Sequence, residues 1–198
     1  MVSRASINCR DLRVQRTYKM LKDTFLRLLT EKPFEKISVQ EICDVAMVRR
    51  TTFYQHFEDK QDFLQWFVRE KQQDFFRKNM PENYQATTRE HYMLMAHKVL
   101  TYLNENEQML RLLLSAGVQD RMLVDAFSQA FAEDAKKRIE AMPHAREQLD
   151  GIPPMLAAEY YVGGMINVAR WWFTSNKPCT EDELVQYLCR LVEEKKTV

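Results

Sequence analysis

Leu21, Phe25, Leu28 and Leu29 fall at i, i+4, i+7 and i+8, which is one face of a helix. The spacing predicts a helix from about Arg16 to Glu31, ended by Pro33. Phe34 and Ile37 are apolar residues of the connection that can tuck under a bundle. Ser38-Val39-Gln40-Glu41 fits a capping box, with the serine capping a new helix and the glutamate reaching back. Ile42, Val45 and Ala46 then line its inner face. Only Met47 and Val48 separate it from a third helix, from Arg49 or Arg50 to His56 or Phe57. Two short helices joined this tightly cross steeply, because they cannot fold back antiparallel, and that is helix-turn-helix geometry. Phe53 and Phe57 share the inward face of the third helix, Thr51 and Gln55 lie opposite, and Tyr54 sits on the flank.

The remaining pattern predicts longer helices over about 60–78, 88–104, 107–116, 120–142, 154–175 and 180–195, with breaks at Gly117, at "HAREQLDGIPP" and at "SNKPC". The expectation is an all-α chain of about nine helices. It divides into a helix-turn-helix domain over 10–60 and a helical regulatory and dimerisation domain over 61–198. Four glycines and six prolines are too few for the turns of a β-sandwich or a nucleotide-binding α/β fold. Hydrophobic residues make up 45% of the chain, enough for a substantial core.

Charge sharpens the division. Residues 1–60 carry twelve Lys+Arg against eight Asp+Glu, a net of +4, while the rest carries seventeen against twenty, a net of −3. A basic head suits an anionic partner, although a solvated charged face produces the same count. Cys9, Cys43, Cys179 and Cys189 form no C-x-x-C pair, the start lacks a signal-peptide apolar segment, and no apolar run is long enough to span a bilayer. The expected location is a reducing cytoplasm. The four histidines show no metal spacing, and no phosphate loop, dinucleotide fingerprint or nucleophile elbow occurs. No catalytic residue, metal or cofactor is assigned, and the chain is not expected to be an enzyme.

"SVQEICDVAMVRRTTFYQHFEDKQDFL", residues 38–64, resembles the DNA-binding signature of the TetR/AcrR family of transcriptional regulators. The matching features are a hydroxyl cap, an Ile-small pair, Ala-x-Val at the turn, Thr-Phe-Tyr, x-His-Phe and a lysine opening the next helix. "YYVGGMINVARWWF" with "CTEDELVQYL" is similar to the last two helices of a branch common in Firmicutes, which includes regulators of dihydroxyacetone kinase operons. The resemblance implies that Arg50, Thr51 and Thr52 face base edges in the major groove. It implies phosphate contacts for Tyr54, His56 and Lys60, with Ser38 and Gln40 starting the supporting helix near the backbone. Arg49 would add a cation near the phosphates. Each polar residue has a plainer reading: Tyr54 as packing, His56 as a cap, Arg49 as solvated charge. The sequence departs from the family pattern at Met47, where the turn usually has glycine, and at Arg49, where the recognition helix usually has a hydroxyl cap.

In the body, aromatics and methionines can line an adaptable apolar cavity or simply form core. The candidate effector-binding residues are Trp66, Tyr92, Met95, His97, Tyr102 and Phe127. Gly163 and Gly164 inside a helical stretch each cost roughly 1 kcal/mol against alanine, which close approach of another helix would offset. With Trp171, Leu184 and Leu188 they form the candidate dimer interface, as a four-helix bundle; a kink at the glycines is the alternative. The sequence thus points to a regulator that binds an inverted-repeat operator in double-stranded DNA as a homodimer and is released by a small-molecule effector. The alternative is a co-regulator acting through protein contacts without a ligand of its own.

Overall fold

The computed structural model describes residues 12–79, 88–106, 121–141, 147 and 149–192. Among them the chain forms eight α-helices: α1 Leu12–Glu31, α2 Val39–Val45, α3 Arg50–His56, α4 Lys60–Asn79, α5 Thr88–Glu105, α6 Arg121–Ala141, α7 Pro154–Thr174 and α8 Glu181–Val192. A 3-10 turn, Phe34–Lys36, links α1 to α2. The fold is all-helical, as the periodicity predicts. The helix expected over 107–116 lies outside the described residues, and α1 begins at Leu12, earlier than the pattern suggests. No described helix is long and apolar enough to cross a membrane. Two compact units result, Met1–Gln73 with Arg111–Phe127 and Asp74–Leu110 with Ser128–Val198, so the division falls within α4 and α6.

The first unit is built on phenylalanine. Phe25, Phe34, Phe53, Phe57, Phe63 and Phe67 are each at most 1% exposed. Phe25 meets Phe63 and Phe67 edge-on at 5.0 Å, and Phe57 meets Phe63 at 4.9 Å. Edge-to-face packing of this kind adds to the stabilisation from burial. Leu21, Leu28 and Leu29 of α1 complete the core, as their spacing predicts. Ile42 and Ala46 are buried too, but Val45 is 37% exposed, because it lies at the edge of the face they share.

In the second unit, Ala132, Ile139, Leu149, Ala157 and Ala158 form one core cluster, flanked by Met155, Tyr161 and Val162. α6 and α7 contribute Ala132, Ile139, Ala157 and Ala158 to this cluster. Leu184, Val185, Leu188 and Cys189 give α8 a continuous buried face, and α8 packs along α5. Trp172 donates its indole N–H to the Cys179 carbonyl at 2.9 Å, closing the α7–α8 turn.

Candidate nucleic-acid interface

α2 starts where the cap predicts. The Ser38 hydroxyl accepts from the Glu41 amide at 3.1 Å with Ser38 in an extended conformation. The reciprocal half of the expected box is replaced: the Glu41 carboxylate pairs with Lys32 at 2.5 Å. α2 ends on a Schellman motif. Met47 has φ 53°, its amide bonds the Asp44 carbonyl at 3.2 Å, and the Val48 amide bonds the Cys43 carbonyl at 2.9 Å. The left-handed turn that favours glycine is therefore kept with a methionine, whose side chain is 85% exposed. Arg49 stands at the N-cap of α3 in extended conformation and supplies no side-chain cap, as its chemistry predicts.

Phe53 and Phe57 anchor α3 in the core, which turns Arg49, Arg50, Thr51, Tyr54 and Gln55 outward. Thr52 is half-buried. Arg50 is held from α2: its Nη1 donates to Gln40 Oε1 at 3.1 Å, and Gln40 Nε2 donates to Asp44 at 3.1 Å. Its guanidinium stands 6.0 Å from the Tyr54 ring. Asp44 is thus a further member of the constellation that carries no motif signal of its own. Its i, i+4 spacing from Gln40 is the only hint in the chain. Burial raises the Cys43 thiol pKa, with Asp44 adding to the rise and Arg50 opposing it.

His56 is half-buried against α1, where its Nδ1 meets the Tyr18 hydroxyl at 3.3 Å. Tyr18 also stacks on Trp66 at 5.0 Å, and Phe57 meets Trp66 at 5.3 Å. Lys60 is not displayed with the others. Its ammonium donates to the carbonyls of Ile37 at 2.8 Å, Phe34 at 2.9 Å and Glu35 at 3.3 Å.

The short helix pair thus presents an exposed Arg-Thr-Tyr-Gln face. Residues 23–65 match the family model described as "Bacterial regulatory proteins, tetR family". The match takes in α2, α3, the second half of α1 and the start of α4. A curated relative, the HTH-type dhaKLM operon transcriptional activator DhaS of Lactococcus lactis, is 29% identical over 91 residues, covering 46% of this chain and 45% of DhaS. The chain spans less than half the length of the curated relatives it matches. The solved TetR transcriptional regulator of Streptococcus agalactiae is 24% identical, with a TM-score of 0.62 over 92% of this chain and 96% of that one. FadR of Bacillus subtilis, solved with stearoyl-CoA, is 17% identical, with a TM-score of 0.63 over 88% and 96%. These likenesses show that the chain shares the fold of those solved structures.

Beyond the matched segment, the candidate effector residues lie on α4, α5 and α6. Trp66 and Phe127 belong to the first unit, and Tyr92, Met95, His97 and Tyr102 lie on α5 in the second. Trp66 is committed to the aromatic stack with Tyr18 and Phe63. Tyr92 is buried beside Tyr161, and desolvation, with Cys189 and Tyr160 contributing, pushes its phenol up to about 12. His97 faces Glu181 at 3.5 Å and Asp182 at 3.4 Å at the start of α8, a polar contact between α5 and α8. Burial, then Asp74, raises the Tyr102 phenol, whose ring meets Phe75 edge-on at 5.3 Å. Among the described residues no three His, Cys, Asp or Glu are grouped to hold a metal ion.

The candidate dimer residues divide. Leu184 and Leu188 are 3% and 4% exposed, because their face of α8 is spent inside the subunit. Trp171 is 51% exposed, and Leu156 and Tyr160 on the same helix are 61% and 65% exposed. A Cβ on Gly163 or Gly164 would meet nothing within 4 Å. Tyr187 and Leu191 supply the exposed apolar side of α8. The i, i+4, i+8 spacing of Leu156, Tyr160 and Gly164 is the signal from which the stripe can be read.

Proposed function

We propose that the protein is a transcriptional regulator that binds double-stranded DNA sequence-specifically, as a homodimer on an inverted-repeat operator. The observation that carries this reading is Arg50, exposed at the first turn of α3 and braced by Gln40 from α2. A guanidinium has five N–H donors, so the bond to Gln40 leaves enough for a bidentate grip on guanine O6 and N7. Thr51 and Thr52 then meet neighbouring base edges, and Gln55 extends the same face. Tyr54, His56 and Arg49 contact phosphates and fix register. Ser38 acts by starting α2 and exposing its first amides near the backbone.

The dimer forms through the stripe of Leu156, Tyr160, Gly164 and Trp171, continued by Tyr187 and Leu191. Among the described residues nothing lies within 4 Å of a Cβ added at Gly163 or Gly164, which supports a helix of a second copy lying there. The body takes a small-molecule effector that releases the protein from DNA, making it a repressor. Tyr102, near the aromatic group of Phe75, Phe76 and Phe131, is the first place to test, and long-chain acyl-CoA is the first ligand class. The likeness to DhaS, named an activator, favours a second reading, in which the protein activates transcription or works through a protein partner without its own ligand.

Selection of bound sequences from a random DNA pool tests the reading. An enriched inverted repeat is expected. No enriched sequence at any salt concentration would refute sequence-specific binding and favour the co-regulator. Saturable acyl-CoA binding that lowers operator affinity supports the repressor over the activator.

A further inference from the structure

We propose that Lys60 is a positioning residue of the DNA-binding unit and not one of its phosphate contacts. An ammonium has three donors and no acceptor. All three are matched here by the Phe34, Glu35 and Ile37 carbonyls, at 2.9, 3.3 and 2.8 Å. The charge also lies 4.2 Å from the centre of the Phe34 ring, the face of which attracts cations. Phe34 itself is 1% exposed and meets Phe25 edge-on, so the half-buried ammonium sits at the edge of the core. A DNA phosphate could reach Lys60 only by displacing a carbonyl, leaving the end of the 3-10 turn without that donor.

The clamp joins two places that matter for recognition. Lys60 is the first residue of α4, and Ile37 precedes Ser38, the N-cap of α2. α2 in turn presents Gln40 to Arg50 and ends in the Met47 turn that launches α3. Fixing the start of α2 therefore fixes both the brace on Arg50 and the direction of α3. Base contacts tolerate less displacement than phosphate contacts, because they depend on fixed groove positions for each donor and acceptor. Loss of the clamp should weaken reading more than it weakens adhesion.

This inference rests on the DNA-binding reading for one arm of its test and is independent of it in the other. In the first arm, Lys60→Gln is titrated against selected and scrambled duplexes at several salt concentrations, well below its Tm. The expected result is a loss of about tenfold on the selected duplex, near the lower end of what one base contact contributes. The scrambled duplex should be little affected, and the slope of log affinity against log salt unchanged. Equal losses on both duplexes with a slope flattened by about one unit per lost contact would make Lys60 a phosphate contact and overturn the proposal. A lower Tm with an unchanged selected-to-scrambled ratio would overturn it too, leaving a purely structural lysine. If wild-type protein itself fails to discriminate, the DNA-binding reading fails and not the clamp. The second arm needs neither a variant nor DNA: reductive methylation of the free protein, followed by mass spectrometry. Lys60 should react much more slowly than the exposed Lys19. Equal rates would overturn the clamp.

Discussion

The outward face of α3 and the outward face of α7 are both exposed helix surfaces, and they are opposite in chemistry. α3 shows Arg50, Thr51, Tyr54 and Gln55, with Arg49 just before them. α7 shows Leu156, Tyr160, Gly164 and Trp171, with Asn167 among them and Glu159 and Thr174 exposed beside them. A face of donors and cations costs little in water and gains most from an anionic, acceptor-rich partner. A face of Tyr, Trp and Leu with glycines between costs more in water and gains most from burial against another protein. The glycines are the telling difference. On α7 each costs about 1 kcal/mol of helix stability against alanine, and among the described residues no close neighbour offsets it. α3 has no such cost, and its two phenylalanines hold it rigidly from below.

The largest expected effect breaks the α7 side of the comparison. Gly164→Trp should abolish the dimer in sedimentation at micromolar concentration and lower operator affinity by about 10²–10⁴-fold, as two linked half-site contacts become one. Gly164→Ala sharpens the same point. If the face is bare, alanine simply stabilises the helix by about 1 kcal/mol, and Tm rises without any change in assembly.

Next in size is the α3 side. Arg50→Ala should cost about 1–3 kcal/mol on the selected duplex and relax preference at one position of each half-site. An unchanged ratio of selected to scrambled affinity would transfer base reading to Thr51, Thr52 and Gln55. Ser38→Ala removes the bond from the Glu41 amide. It should lower stability by about 1 kcal/mol in urea denaturation, because no other cap replaces it. An unaltered midpoint would show that the bond contributes nothing.

The smallest effect is at the turn between α2 and α3. A non-glycine residue at φ 53° costs about 1–2 kcal/mol, and glycine's greater loss of freedom returns about 0.5–1 of it. Met47→Gly should therefore raise stability by roughly 0.5–1 kcal/mol. The Met47 side chain is 85% exposed, so no packing is lost. A fall in Tm would mean that methionine contributes something at the turn beyond its backbone.

Much of this was legible in local sequence, and what was not depended on distance along the chain. Periodicity found α1 because Leu21, Phe25, Leu28 and Leu29 all serve one core. The Ser38 cap is local chemistry and is present, whereas Met47 in place of the usual glycine gave no local sign that the left-handed turn is kept. By contrast, Lys60 and the carbonyls it binds are 23–26 residues apart, and no pattern of spacing announces such a bond. Glu41 fits a capping box equally well whether it reaches back or pairs with Lys32, so the competing cation decides. On α8, the leucines at 184 and 188 and the exposed Tyr187 and Leu191 differ by one helix position. Composition could not say which of the two faces the subunit keeps for itself.

The most direct measurement is amide hydrogen exchange on the full chain, with and without the selected duplex and at two protein concentrations. Slower exchange should appear on adding DNA over Arg50–His56 and the first turn of α2. Slower exchange on raising protein concentration should appear over 156–171 of α7 and the outer side of α8. DNA-dependent protection confined to α7 and α8, with α3 unchanged, would contradict the assignment of the two faces.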